Sequence, residues 1–262
     1  MDAAQLIKAG NAAGALAALQ AGIRANPSDA RLRVFLFQLL CVTGDWHRAV
    51  QQLKTAATLD PDSDTMARMY REAIVAELWR EKVFAGEKSP GFRNDPPDWL
   101  ADMAEALRLS ATGDMTAAAT LRDKAMAAAP ASSGSLNGTP FDWFADADAR
   151  LGPLLEVVLN GTYVWLPFAD IRQMTFDAPT DLRDLVWTPV TLELRDGTEC
   201  IGLVPTRYPG SHASDGHALA RATDWTDQGA GLGQRMLVTD TLEMPLLELR
   251  TVTFDATDGS NG

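Results

Sequence analysis

Residues 32–50 read LRVFLFQLLCVTGDWHRAV, and this stretch decides the fold class of the first half of the chain. Leu32, Val34, Phe35, Leu36, Phe37, Leu39, Leu40 and Cys41 are apolar almost all round a helix. That is the pattern of a helix buried between neighbours. Gly44-Asp45 then precedes a second helical run, and glycine there permits the positive φ of a turn between two helices.

Working outward, the same punctuation recurs. Gly10-Asn11 lies 34 residues before Gly44-Asp45, and Gly113-Asp114 lies 69 residues after it. Ala15, Ala49 and Ala118 keep both intervals, as do Pro27, Pro61 and Pro130. Leu19 matches Leu53, and Ala56 matches Ala125. Thirty-four residues is the tetratricopeptide period. Alanine at the inner positions lets two helices approach closely, and proline after the second helix stops it. Helices are predicted over 2–9, 12–25, 29–42, 46–58, 63–84, 97–110 and 114–128. The array is two regular units, an elongated helix carrying Leu78-Trp79, a loop over 86–97 and a delayed third unit.

Residues 131–140, ASSGSLNGTP, read as a linker, dividing the chain into a helical repeat domain over 1–130 and a β-rich domain over 141–262. Beyond residue 140 the apolar period falls to two. Leu155, Val157 and Leu159 alternate, Asn160-Gly161 makes a hairpin turn, and 162–166 returns. Further strands are predicted over 171–176, 190–194, 200–204, 234–239 and 246–254, with a polar tail over 255–262. The fold class is therefore α+β: a tetratricopeptide-like α-solenoid followed by a small, acidic, barrel-like β domain. Trp143 and Phe144, beside the linker, are placed to pack the two halves together.

The charge is distributed unevenly. The net charge is -12, of which -11 falls in residues 140–262. An acidic surface repels phosphate, so nucleic acid and anionic membrane are excluded as partners, whereas a basic protein segment would be steered toward it. No apolar run is long enough to span a membrane and the start is not signal-like, which predicts a cytoplasmic protein. Cys41 and Cys200 are the only cysteines and read as small buried side chains.

Catalytic chemistry finds no convincing footing. Ser211-His212-Ala213-Ser214-Asp215-Gly216-His217 holds two histidines and an aspartate, the raw material of a metal-dependent hydrolase. Two serines and the flanking glycines make it read instead as a mobile, solvated loop. Gly229-Ala230-Gly231-Leu232-Gly233 lacks the Lys-Ser or Lys-Thr of a phosphate loop and reads as a connection between strands. No cofactor or metal is implied, and the chain reads as a non-enzymatic binding protein. A generic tetratricopeptide scaffold or chaperone is one version of that reading.

A second version comes from resemblance. Residues 32–41 followed by Gly44-Asp45-Trp46 and Ala49 resemble the ImpE (TagJ, SciE-type) family. So do Asn160-Gly161-Thr162-Tyr163-Val164-Trp165-Leu166-Pro167-Phe168, Asp181-Leu182-Arg183-Asp184-Leu185 with Trp187, Pro205-Thr206-Arg207-Tyr208-Pro209-Gly210, and Arg221-Ala222-Thr223-Asp224-Trp225. The two histidines of the 211–217 loop stand outside that pattern. The resemblance implies a type VI secretion accessory protein that binds a helical segment of the small contractile-sheath subunit. It also implies an indirect link to the ClpV unfoldase. Phe35, Phe37, Gln38, Trp46, Tyr163, Trp165, Arg183, Asp184, Trp187, Arg207, Tyr208 and Trp225 are its candidate partner-binding or family-motif residues. Stacked helical pairs would offer such a partner helix a groove.

Overall fold

A computed structural model describes residues 1–256 of the chain. Its helices are α1 (Ala3–Lys8), α2 (Ala12–Ala25), α3 (Ala30–Val42), α4 (Trp46–Leu59), α5 (Asp64–Phe84), and, after strand β1 (Gly91–Phe92), α6 (Asp98–Ala111) and α7 (Met115–Ala128). Each lies within one residue of its expected bounds, because the start and stop signals are local. The side chains of Asp2, Asn11, Asp29, Asp45 and Asp114 accept hydrogen bonds from first-turn N–H groups. Gly44 and Gly113 turn the chain between paired helices at φ +75° and +93°. The repeated alanines 15, 49 and 118 are wholly buried, as close helix packing requires.

The second half contributes β2 (Gly134–Leu136), β3 (Thr139–Phe141), β4 (Phe144–Asp146), β5 (Leu154–Leu159), β6 (Thr162–Pro167), β7 (Ile171–Phe176), β8 (Trp187–Leu194) and β9 (Glu199–Pro205). A short helix α8 (Asp215–Ala218) precedes β10 (Thr223–Trp225), β11 (Gly231–Gly233), β12 (Met236–Thr239), β13 (Glu243–Pro245) and β14 (Thr251–Phe254). The main sheet runs β1-β6-β5-β9-β8-β7-β14-β2-β3. It is open, with β1 and β3 at its edges, and not the expected barrel. One edge, β1, is two residues long and directly follows Pro90, which has no N–H to donate to a further strand.

Two segments expected to be irregular belong to this sheet. From the loop over 86–97, β1 pairs in parallel with β6, Gly91 opposite Val164 and Phe92 opposite Trp165. The stretch over 131–140 is no tether: β2 and most of β3 form a hairpin there, turned by Asn137 and Gly138 at φ 48° and 87°. A Cβ on Gly134 would lie 2.0 Å from the Thr253 carbonyl oxygen, so only glycine lets β2 seat against β14. Asp255 is also tied down, its N–H donating to the Ser133 carbonyl at 3.0 Å. The rest of the expected polar tail, from residue 257, lies outside the described residues.

Around β5 and β6 the sheet is buried on both faces. Leu155, Val157, Val164 and Leu166 point into one apolar core with the β4–β12–β13 layer and the rings of Phe141, Phe144, Phe168 and Phe254. Their neighbours Leu154, Val158, Tyr163 and Trp165 point into a second core continuous with α2 to α6. The helical and sheet-rich parts therefore share a core. Phe144 belongs to the far layer and Trp143 is exposed, so neither packs the halves together as expected. Cys41 is buried in α3, whereas Cys200 is only partly buried on β9.

Replacing Ala49 with tryptophan should overpack the α3–α4 contact and lower stability by about 1–3 kcal/mol or more. A urea unfolding midpoint unchanged from the native chain would contradict this packing.

Candidate functional site

The junction between helices and sheet is built around a buried carboxylate. Glu156 on β5 is wholly buried and accepts from Arg80 of α5, Nε to Oε1 at 2.7 Å and Nη2 to Oε2 at 3.0 Å. Its second cationic partner is Arg235, which also pairs with Asp146 of β4. Arg80 Nη1 donates to Glu77 at 2.8 Å, and the Trp187 indole donates to the other Glu77 oxygen at 3.2 Å. The Tyr163 hydroxyl donates to Glu156 and accepts from the Trp165 indole at 2.6 Å. Tyr208 donates to Asp146 at 2.8 Å. Burial alone would raise the Glu156 carboxyl, but Arg80 and Arg235 outweigh it and hold it down at about 2. Asp146 goes the other way: burial, only partly offset by Arg235, pushes it up to about 6.

Around this network lie most of the residues that carry the family resemblance. Phe37, Tyr70, Trp187 and Trp46 form a chain of rings with successive centroids 5.7, 6.0 and 5.8 Å apart. The Arg183 guanidinium sits 4.8 Å from the Tyr70 ring centre. Asp184 accepts from the N–H groups of Thr180 and Asp181 and shapes the short turn Leu182–Leu185 that meets α3. Gln38 is buried and Phe35 packs partly buried on the same core. Trp225 stands apart at 46% exposure, its ring 5.7 Å from that of Tyr208. As placed, these side chains hold the chain to itself. The Leu182–Leu185 turn packs on α3, and β6 packs on α5. The second half thus takes up part of the helical surface from which a groove for a partner helix was expected.

The 211–217 segment is likewise not the mobile loop expected from its composition. Ser211–Ala213 is a 3₁₀ turn leading into α8, and both dock on the ends of the helical pairs. Asp215 accepts the Ala12 N–H at 3.1 Å, and His212 lies so close that a Cβ on Gly44 would be 2.9 Å from its ring. Arg221 donates to the Ile7 and Lys8 carbonyls at the end of α1, at 2.7 and 3.1 Å. Arg207 does the same for α3, donating to Val42 at 2.7 Å and Cys41 at 3.2 Å. Cations at helix C-termini satisfy carbonyls that have no partner within the helix. His217 meets Asp224 at 2.7 Å and Ser214 at 3.0 Å. Among the described residues, no group of three or more His, Cys, Asp or Glu side chains is placed to hold a metal ion. Gly231 and Gly233, expected in a flexible connection, form β11 instead.

Sequence reasoning passed over Arg80, Glu77, Asp146, Glu156, Arg235 and Tyr70. The available signal was a charge inside an apolar strand, Glu156 in LLEVVL. Glu156→Gln leaves two buried guanidinium groups short of a charge and should cost on the order of 3–5 kcal/mol at neutral pH. Because Glu156 titrates at about 2 when folded against an ordinary 4.5, its contribution is full above 4.5 and lost as pH falls toward 2. Chemical unfolding of both forms across that range should show the gap closing. A gap independent of pH would contradict an ionised Glu156.

Among the described residues, no helix is long and apolar enough to cross a membrane. Residues 138–253 match the ImpE protein family, and residues 6–73 match the tetratricopeptide repeat. The chain is 46% identical to the "Type VI secretion system accessory component TagJ" of Pseudomonas aeruginosa, over 98% of this chain and 92% of that one. A crystal structure of a Vibrio parahaemolyticus protein superposes with a TM-score of 0.90 at 26% identity, covering 97% of this chain and 98% of that one. With a relative this similar from end to end, the chain belongs to the ImpE family and is a homologue of TagJ.

Proposed function

We propose that this protein is a non-enzymatic, cytoplasmic adaptor of a type VI secretion system. It binds a helical segment of the small contractile-sheath subunit and thereby acts in sheath assembly or in its recycling by the ClpV unfoldase. The observation that carries the reading is the near end-to-end similarity to an accessory component of that system. The use of charge in this fold supports it. The buried ionisable side chains of the junction are consumed in pairs with one another or on backbone carbonyls, as in Arg80–Glu156, Arg235–Asp146 and Arg207–Val42. Such pairs serve architecture, whereas a catalytic site leaves a titratable group free to meet a substrate.

Calorimetric titration of the full chain with the small sheath subunit from the same genome should give saturable binding. The full chain is required because the helices bury their inner face on the sheet. No heat of binding, with a pull-down equally negative, would overturn the sheath assignment.

A further inference from the structure

With β6 packed on one side of α5, another side of that helix remains open. Arg68, Glu72, Val75 and Trp79 follow one another at helical spacing and share a face. Val75 is 63% exposed and Trp79 43%, although Ile74, Ala76 and Val83 of the same helix are buried. Facing them across a cleft of about 320 Å³ are Pro90 and the β5–β6 turn, Gly161 and Thr162. Past Val75 and Gly161 the cleft continues to Arg68 and Arg71. Its floor is closed by the turn itself, since a Cβ on Gly161 would lie 3.1 Å from the Glu72 carboxylate.

The cleft is set in advance. The Trp79 indole donates to the Ser89 carbonyl at 3.0 Å and carries Lys88 over its ring at 5.3 Å. A tryptophan already held in place loses little freedom on binding and makes an effective anchor. The rim carries Arg68, Arg71 and Lys88 against Asp64 and Glu72, a net of +1 in a chain of net charge -12. Among the described residues, Arg68 pairs only within its helix, with Asp64. Arg71 donates to the Ala67 carbonyl at 3.1 Å and, among the described residues, makes no ion pair. Such a patch repels the rest of this acidic surface and selects carboxylates. The occupant is a helix rather than an added strand, because the neighbouring sheet edge is the two-residue, proline-flanked β1. A ridge with Val75 and Trp79 four residues apart matches the groove of another helix.

We infer that this cleft seats an acidic amphipathic helix, its apolar stripe over Val75 and Trp79 and its carboxylates at Arg68 and Arg71. The helix's owner is the small sheath subunit only if the adaptor reading above holds. The test titrates the full-length sheath subunit into native protein, Val75→Glu, Arg71→Glu and, as control, Ile201→Glu, which changes a residue 74% exposed on β9 outside the cleft. All three positions are on the surface, and thermal unfolding checks that each variant folds. Both cleft variants should bind about tenfold more weakly or worse, and the control as the native protein does. Native binding should also weaken as salt is raised to about 0.5 M. Native affinity retained by both cleft variants would overturn the cleft and leave the adaptor reading standing. Failure of the native chain to bind would remove that reading, and the occupant of the cleft with it.

Discussion

Glu156 is the constraint on which the architecture turns. Its carboxylate holds Arg80 from the elongated helix and Arg235 from the far end of the sheet-rich half, and all three are buried. Ions taken out of water are costly unless every lone pair and proton finds a partner. Here Tyr163, Tyr208, Glu77, Trp187 and the Pro205 and Arg207 carbonyls supply those partners. Any movement of α5 relative to the sheet would strand one of these groups. The pairing therefore enforces one relative placement of helices and sheet, which the surrounding apolar contacts alone would specify less sharply.

The same logic extends to the ends of the repeats. Each regular helical pair has its turn read by a residue far along the chain: Arg221 on α1, Arg207 on α3, Asp215 on the first N–H of α2. These contacts satisfy helix-end groups that water satisfies in an open repeat array. At the turn of the third pair, α6–α7, a Cβ added to Gly113 would meet nothing within 4 Å. The second half thus holds the turns of the first two helical pairs and packs on α3 and α5.

The acidity of the second half has two parts. Asp146, Glu156 and Asp184 are buried and engaged, while Asp177, Asp240 and Glu243 are exposed. A charge count sees these as one solvated surface. Folding separates them, leaving arginines Arg207 and Arg235 inside and a net negative shell outside.

What the sequence by itself determined is whatever depends on neighbours a few residues apart. The seven helices of the first half, their caps and turn glycines, and the Asn160-Gly161 hairpin were all legible, because 3.6-residue periodicity and turn chemistry are local. The linker misreading shows where that limit lies. Asn137-Gly138 carries the same turn signal as Asn160-Gly161, but its flanking Ser, Gly and Pro make strands only when β14 is beside them, more than a hundred residues away. Likewise the open sheet, the packing of the second half on α3 and α5 and the docked 211–217 segment follow from which strands and helix ends meet. Only the tertiary structure could decide that Glu156 finds Arg80, 76 residues earlier in the chain. A buried charge is compatible with a fold only once its partner is in place, and partners brought together by folding leave no spacing to read.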